Sequence, residues 1–319
     1  MGTFIKFFFF FIVIFIGLIA FVSISTSFIE RRYSNFKIEN NTTSIVIGHS
    51  HPECAFNDSL IPNLKNLSQS GESYFYNYFK TKRVIMQNAS INVVFVEFTN
   101  NQIDESMDDW IWGDKFLSNS YPKYSSFMNA DDNLVLFQNN PSAFINALSL
   151  SLKTKITKIF ENKLKRSHIS GGYLHLEKKL TDSIIKNTER LKHEAIAAQK
   201  DISEANLSYL DALIEFCTAN NKRVILIRSP QHEKYPGYEN ENKYVEILQT
   251  RYANIEYMDF SNFPLTNNEY ADLDHLNYKG AKVFSEWFAD LLSNGLLEKK
   301  NKQDYIDERI MTKSLESRI

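Results

Sequence analysis

Ile45-Val46-Ile47-Gly48-His49-Ser50 reads as a buried strand that ends in a glycine turn and presents a serine. An apolar run followed by Gly-x-Ser fits a parallel strand whose carboxyl end faces a cleft, the place where open α/β sheets hold their ligands. Further runs of the same kind follow. Leu64–Ser68 leads into Gln69-Ser70-Gly71-Glu72, and Ile91–Phe98 stops at Thr99-Asn100-Asn101. Arg223–Arg228 and Ile255–Asp259 complete the set. Helical patterns separate most of them, at Tyr74–Lys82 and through Leu207, Leu210, Leu213, Ile214 and Cys217. Five short strands alternating with helices imply an α/β protein with a parallel sheet covered on both faces.

The 319 residues, 43% of them hydrophobic, suffice for one large domain or two small ones. With a net charge of -2 and interspersed signs, no basic face for nucleic acid emerges. Cys54 and Cys217 are too few for a disulfide framework. Phe7 to about Ser25 is uncharged and long enough to cross a bilayer as one helix. No Ala-x-Ala cleavage signal follows it, so residues 1–27 read as an uncleaved signal-anchor rather than a signal peptide. Lys6 before the span and Arg31, Arg32 and Lys37 after it leave orientation open by charge. Residues 28–43 read as a polar tether, 44–297 as the α/β domain and 298–319 as a charged tail. Within the domain, about 104–205 reads as a helical insertion. Trp110, Trp112, Tyr121 and Tyr124 fall in an irregular stretch of it, before helices at about Pro141–Lys165 and Leu174–Lys200.

Near the carboxyl end, Ala271-Asp272-Leu273-Asp274-His275-Leu276-Asn277-Tyr278-Lys279-Gly280 leads into an amphipathic helix through Val283, Phe284, Trp287, Phe288, Leu291 and Leu292. Acyl chemistry needs a nucleophile, a base, a group orienting the base, and donors for the oxyanion. Ser50 is the candidate nucleophile, His275 the base and Asp272 its orienting carboxylate, with Asp274 as rival. The backbone N–H groups of Ser50 and Gly71, with the side-chain amide of Asn100, are the candidate oxyanion donors.

In these four blocks the chain resembles the SGNH, or GDSL-like, hydrolases, named for Ser, Gly, Asn and His. Here they are Gly48-His49-Ser50, Gly71, Asn100 and Asp272–Asn277, and the resemblance covers roughly 250 residues. It implies a flavodoxin-like three-layer α/β/α fold and esterase, lipase or carbohydrate O-acyltransferase activity, without a metal or organic cofactor. His49 stands where the family has Asp, and Phe98-Thr99-Asn100-Asn101 stands for Gly-x-Asn-Asp, so Asn101 competes with Asn100 for the cleft. With one amino-terminal anchor, the chain resembles extracytoplasmic SGNH-like proteins that work beside membrane-bound O-acyltransferases in acylating bacterial surface polymers. The resemblance thus implies an ester or acylated glycan as substrate and a periplasmic body. The alternative is a catalytically idle subunit that binds glycan or recruits an integral-membrane acyltransferase.

Gly48-His49-Ser50-His51 with Glu53 and Cys54 also raises a metal site. The matching metallophosphatase pattern needs earlier Asp and His motifs, where only anchor and tether stand. His49 therefore reads as a hydrogen-bonding or substrate-contacting neighbour of Ser50. Glu72 and Glu97 read as solvated or paired carboxylates, and His168, His175, His193 and His232 as surface residues.

Overall fold

The computed structural model describes residues 2–164, 168–191 and 201–316. In chain order the elements are α1 (Gly2–Tyr33), β1 (Ser44–Ile47), α2 (Ser50–Ala55), β2 (Leu64–Asn66), α3 (Tyr74–Gln87) and β3 (Val93–Glu97). Then come α4 (Met107–Trp112), α5 (Asp114–Tyr124), α6 (Ala130–Asn139), α7 (Pro141–Phe160) and α8 (Thr181–Leu191). The chain finishes with α9 (Glu204–Ala219), β4 (Arg223–Arg228), α10 (Glu241–Thr250), β5 (Glu256–Asp259), α11 (Tyr278–Ser293) and α12 (Lys302–Glu316).

All five strands pair in parallel, in the order β2-β1-β3-β4-β5. This doubly wound order reverses direction between β1 and β3, and ligand crevices of such sheets open at that point. Side chains alternate across the pleat. On one face Val46, Phe95, Ile225, Ile227 and Met258 share a core with Phe284, Phe288 and Leu291 of α11 and Ile306 of α12. Ile45, Ile47, Val94, Val96 and Leu226 are equally buried and alternate to the other face, where α9 packs on β4 and against α3. Burial on both faces is why β1, β3 and β4 read as runs rich in β-branched and aromatic residues.

The chain divides into two compact units, Met1–Phe36 with Trp112–His168, and Lys37–Ile111 with Ile169–Ile319. In the first, α1 packs on α7 and α5 packs on α7. Thr3–Tyr33 of α1 is long and apolar enough to cross a membrane, and its outward side chains, such as Phe7, Phe11 and Phe21, are exposed. Buried Glu30 accepts from Ser126 Oγ at 2.5 Å and pairs with Lys158 Nζ at 2.8 Å, within the same unit.

Several boundaries differ from the sequence reading. α1 runs to Tyr33, so the first part of the expected tether is helix. The irregular stretch after residue 104 is α4, α5 and α6. Only part of the expected insertion, Trp112–His168, falls in the first unit; Asp104 and Ile202, both in the second, pair as an antiparallel bridge. The helix expected at Leu174–Lys200 is shorter. Residues 168–180 form neither helix nor strand, α8 covers Thr181–Leu191, and 192–200 lie outside the described residues. This strap is held by backbone bonds from Gly172 N to Ser68 O, Leu174 N to Glu53 O and Leu180 N to Ala271 O, with Tyr278 N donating to Leu176 O. These long-range partners outweigh helix propensity, and Gly171 at φ +95 starts the strap.

The charged tail is not a separate segment. α12 buries Ile306 in the core, and its Gln303 accepts from Asp259 N at 2.8 Å and donates to Asp259 O at 3.1 Å, pairing with the outer strand β5.

Candidate active site

The site is assembled at the carboxyl ends of the strands, entirely within the α/β unit. At the tip of β1, a Cβ on Gly48 would lie 2.6 Å from Glu97 Cβ and 2.7 Å from Pro52 Cγ, so only glycine fits. The chain then turns directly into α2. His49 caps that helix, its Nδ1 accepting from His51 N at 3.2 Å. Asn66, at the end of β2, donates to Pro52 O and Phe56 O at 2.9 and 2.8 Å and clamps α2 in place. Ser50 opens the helix, half-buried, and its own N–H belongs to the first turn, where no helical carbonyl reaches it.

The facing loop is built as tightly. Asn277 caps α11 by accepting from Lys279 N and Gly280 N, and it donates to Asn268 O and Tyr270 O. A Cβ on Gly280 would stand 2.2 Å from Glu269 O, which explains the glycine that follows the polar cluster. Ala271 N donates to His275 O, closing the loop. Asp272 Oδ1 accepts from the backbone N–H groups of Asp274 and His275 and from His275 Nδ1, the last at 2.8 Å. His275 Nε2 then lies 2.7 Å from Ser50 Oγ, a contact between residues 225 apart in sequence. The ring of His275 takes Asp272 rather than Asp274.

Electrostatics set the proton positions. Burial works to raise the pKa of Asp272, but the bonds from the His275 ring and the two backbone N–H groups outweigh it and hold it below the ordinary value. Asp272 is therefore an acceptor at neutral pH, Nδ1 carries the ring proton, and Nε2 is left to accept from Ser50 Oγ–H. Asp274 moves the other way: burial, and then repulsion from Asp272, outweigh the pull of His275.

Two further histidines wall the site. His49 is fully buried, and burial, reinforced by His275, lowers its pKa to about 3 despite a side-chain hydrogen bond to Asn101. Its Nε2 donates to Thr99 Oγ1 at 3.3 Å, and that hydroxyl donates to Asn101 Oδ1 at 2.7 Å. His51 is likewise held well below its usual pKa by burial, then by His49 and His275. Its ring centroid is 5.4 Å from that of His275, edge to face, and its Nδ1 accepts from Gln231 Nε2 at 2.9 Å. Among the described residues no group of three or more His, Cys, Asp or Glu is placed to hold a metal ion.

The expected oxyanion donors divide. Gly71 adopts φ +77 in a turn closed by Glu72 N to Gln69 O. Gln69 N bonds Gly48 O at 3.0 Å and Ser70 N bonds Glu53 Oε2 at 2.8 Å, so this turn is tied to both elements that carry Ser50. Asn100 is placed differently from the expectation. It is fully buried, its Oδ1 accepts from Arg228 at 2.6 Å and its Nδ2 donates to Glu241 at 2.7 Å. The charges at the tip of β4 capture its amide, and the neighbouring Asn101, half-buried, is the asparagine bonded to His49 and Thr99.

Glu72 is paired, with Lys80 at 2.5 Å, and neither side chain reaches water. Glu97 is fully buried and binds Ser229 N and Oγ, and burial pushes its pKa up to about 8 against those bonds. His168 is bonded to Asn35 N, and His232 is buried against Asn267, so neither is the surface residue expected; His193 lies outside the described residues. His175 stacks on Tyr278 at 4.8 Å. Gln231, in the loop after β4, and Trp110, on α4, contact the rings of His51 and His49, and neither belongs to a sequence motif that would assign it to the site.

One family model, which carries no description of function, matches residues 176–297. That stretch holds Asp272 and His275 but not Ser50, Gly71 or Asn100. No curated protein matches the chain.

Proposed function

We propose that this chain is a membrane-anchored serine esterase or O-acyltransferase of the SGNH type, acting on an O-acylated glycan or similar ester. The observation that carries this reading is the unbroken chain from Asp272 through His275 to Ser50, at 2.8 and 2.7 Å. Such a relay has no structural task that a simpler polar contact would not serve, and it is the arrangement that activates a hydroxyl. The resemblance in the four blocks and the doubly wound strand order support the same assignment.

In this mechanism Ser50 Oγ attacks the acyl carbon while its proton passes to His275 Nε2, and Asp272 stabilises the imidazolium. The N–H groups of Ser50 and Gly71 receive the developing oxyanion, with Asn101, bonded to His49 and Thr99, in place of Asn100, which Arg228 and Glu241 hold. The alkoxide leaves with the proton from His275, giving acyl-Ser50. Water, or an acceptor hydroxyl, then gives its proton to His275, attacks the acyl carbon and releases Ser50. Each oxyanion donor contributes roughly 3 kcal/mol to such a barrier.

The body is assigned to the extracytoplasmic side, and an integral-membrane O-acyltransferase is the partner such an anchor would serve. The reading is tested with a fluorophosphonate probe on the full chain. Labelling is expected at Ser50 and absent from Ser50→Ala; labelling that persists in the variant removes the nucleophile. A non-catalytic binding subunit is the second reading, favoured by His49 in place of the family's Asp. It would leave the wild type unlabelled.

A further inference from the structure

Helix α7 carries an apolar stripe that the described residues leave open. Ile145, Leu152, Ile156 and Phe160 recur at helical spacing, so they stand on one side of the helix. Ile145 is 57% exposed, Ile156 37% and Phe160 87%, and Leu152 is half-buried. Ser149 falls within the stripe, but its hydroxyl donates to Ile145 O at 3.0 Å and is satisfied without water.

The stripe borders the apolar helix α1. Within their unit α7 packs on α5 and α1, and its buried side is Ala143, Ala147, Ser151 and Lys155. The contacts with α1 lie along one edge of that side. Lys155 Nζ donates to Ser27 Oγ at 2.9 Å, and Phe144 and Leu148 share the walls of a cavity of about 520 Å³ with Ser23, Ile24 and Phe28. At about 3.6 residues per turn, Leu148 comes between the buried side and the stripe, so the stripe is the flank of α7 next to α1. Ile24 and Phe28 are themselves exposed, and one apolar surface passes from α1 onto α7.

The charges fit the same surface. α7 has no acidic residue; Pro141–Leu152 is uncharged, and Lys153, Lys155 and Lys158 follow. The apolar run of α1 ends at Glu30, Arg31 and Arg32, and Lys158 pairs with Glu30 at 2.8 Å, which sets the lysines of α7 at the level where headgroups would meet α1. An apolar flank beside lysines is the make-up of helices that lie in the membrane–water interface, one side sunk by about 5–10 Å. With α1 in a bilayer, lipid already stands beside the stripe, whereas a second copy or another protein would have to be recruited. We propose that α7 is a second membrane-contacting element, an interfacial helix whose Ile145, Leu152, Ile156 and Phe160 rest among the acyl chains of the bilayer that α1 crosses. The inference rests on the anchoring of α1 and is independent of the chemistry at Ser50.

The test reads the two helices separately. Phe21→Cys on α1, Ile156→Cys and Phe160→Cys on the stripe and Thr157→Cys on the polar side of α7 are each labelled with the fluorophore NBD in the full-length protein. Cys54 and Cys217 are buried, and unsubstituted protein sets the background. The labelled proteins are reconstituted into vesicles of equal parts dioleoyl-phosphatidylcholine and dioleoyl-phosphatidylglycerol, and quenched by doxyl-labelled lipid from the acyl region or by iodide from water. Each variant is expected to melt cooperatively. Doxyl lipid is expected to quench Phe21→Cys strongly, and Ile156→Cys and Phe160→Cys roughly threefold more than Thr157→Cys, with iodide giving the reverse order. Equal quenching at 156, 157 and 160 beside a quenched Phe21→Cys overturns the interfacial helix and leaves the anchor standing. Stripe labels shielded from both quenchers overturn it in favour of a second copy seated on α7. An unquenched Phe21→Cys removes the anchor and this inference together, whatever fluorophosphonate shows at Ser50.

Discussion

The tips of β1 and β3 are neighbours in the sheet and similar in sequence, an apolar run stopping at small polar residues, yet they do opposite things. After β1 the backbone passes so close to Glu97 and Pro52 that residue 48 has no room for a side chain, and the next turn lifts Ser50 halfway into solvent. After β3, Phe98 and Thr99 are fully buried and Asn100 is locked between Arg228 and Glu241. What separates the tips is the neighbouring strand rather than the local chain. β4 ends in a buried arginine that needs oxygen partners, and it takes the closest amide. A polar residue at a strand end is free for chemistry only when the adjacent strand end does not claim it.

The comparison breaks most visibly at Ser50. Ser50→Ala is expected to lower ester turnover by about a thousandfold or more, with the melting temperature little changed, because the hydroxyl has its contact with His275 and not with the core. At Gly48, alanine must displace a side chain on each side, and overpacking of this kind costs about 1–3 kcal/mol in denaturant titration. Asn100→Ala should cost a similar amount, about 1–3 kcal/mol, by stripping partners from Arg228 and Glu241, while fluorophosphonate labelling persists. Asn101→Ala should show the converse, lower turnover with stability nearly unchanged. If the two asparagines exchange these phenotypes, the contrast between the tips is misdrawn.

Smaller effects follow from pH. His49 has a folded pKa of about 3, below its ordinary value, so its stabilising effect is full above about pH 6.5 and is lost as pH falls toward 3. His51 acts in the same direction. Thermal melts should therefore decline below pH 6.5, by at most about 1.4 kcal/mol per pH unit for each group, and less steeply in His49→Gln. Glu97 behaves oppositely. Its folded pKa of about 8 is raised, so its contribution is full below the ordinary carboxylate value and disappears as pH rises through 8. Glu97→Gln is expected to flatten the alkaline decline, and an unchanged slope would mean that Glu97 is ionised in the folded protein.

Much of the frame was legible. All five strands were found within about two residues; β1, β3 and β4 are short apolar runs buried on both faces, and the outer strands β2 and β5 were read from their turn-bounded place in the series. The contacts from Asp272 through His275 to Ser50 join the three residues that the sequence singled out for that role. What could not be read is what depends on distant partners. Leu176 and Leu180 carry helical spacing, but their backbone groups bond Tyr278 and Ala271, and no helix forms before Thr181. Asn100 and Asn101 differ only through Arg228, more than a hundred residues on. The tail looked detached because its few apolar residues stand amid charge: Ile306 is buried in the core, and Tyr305 and Ile310 pack against it only in part.

Gln303 gives that tail a further consequence. β5 is an outermost strand, and outermost strands offer unpaired main-chain groups to any passing strand of another molecule. By bonding both the N–H and the C=O of Asp259, the Gln303 amide occupies the position that an intruding peptide would take. α12 thus acts as a selvedge for the sheet, keeping crowded copies of this protein from zipping together along their open margins.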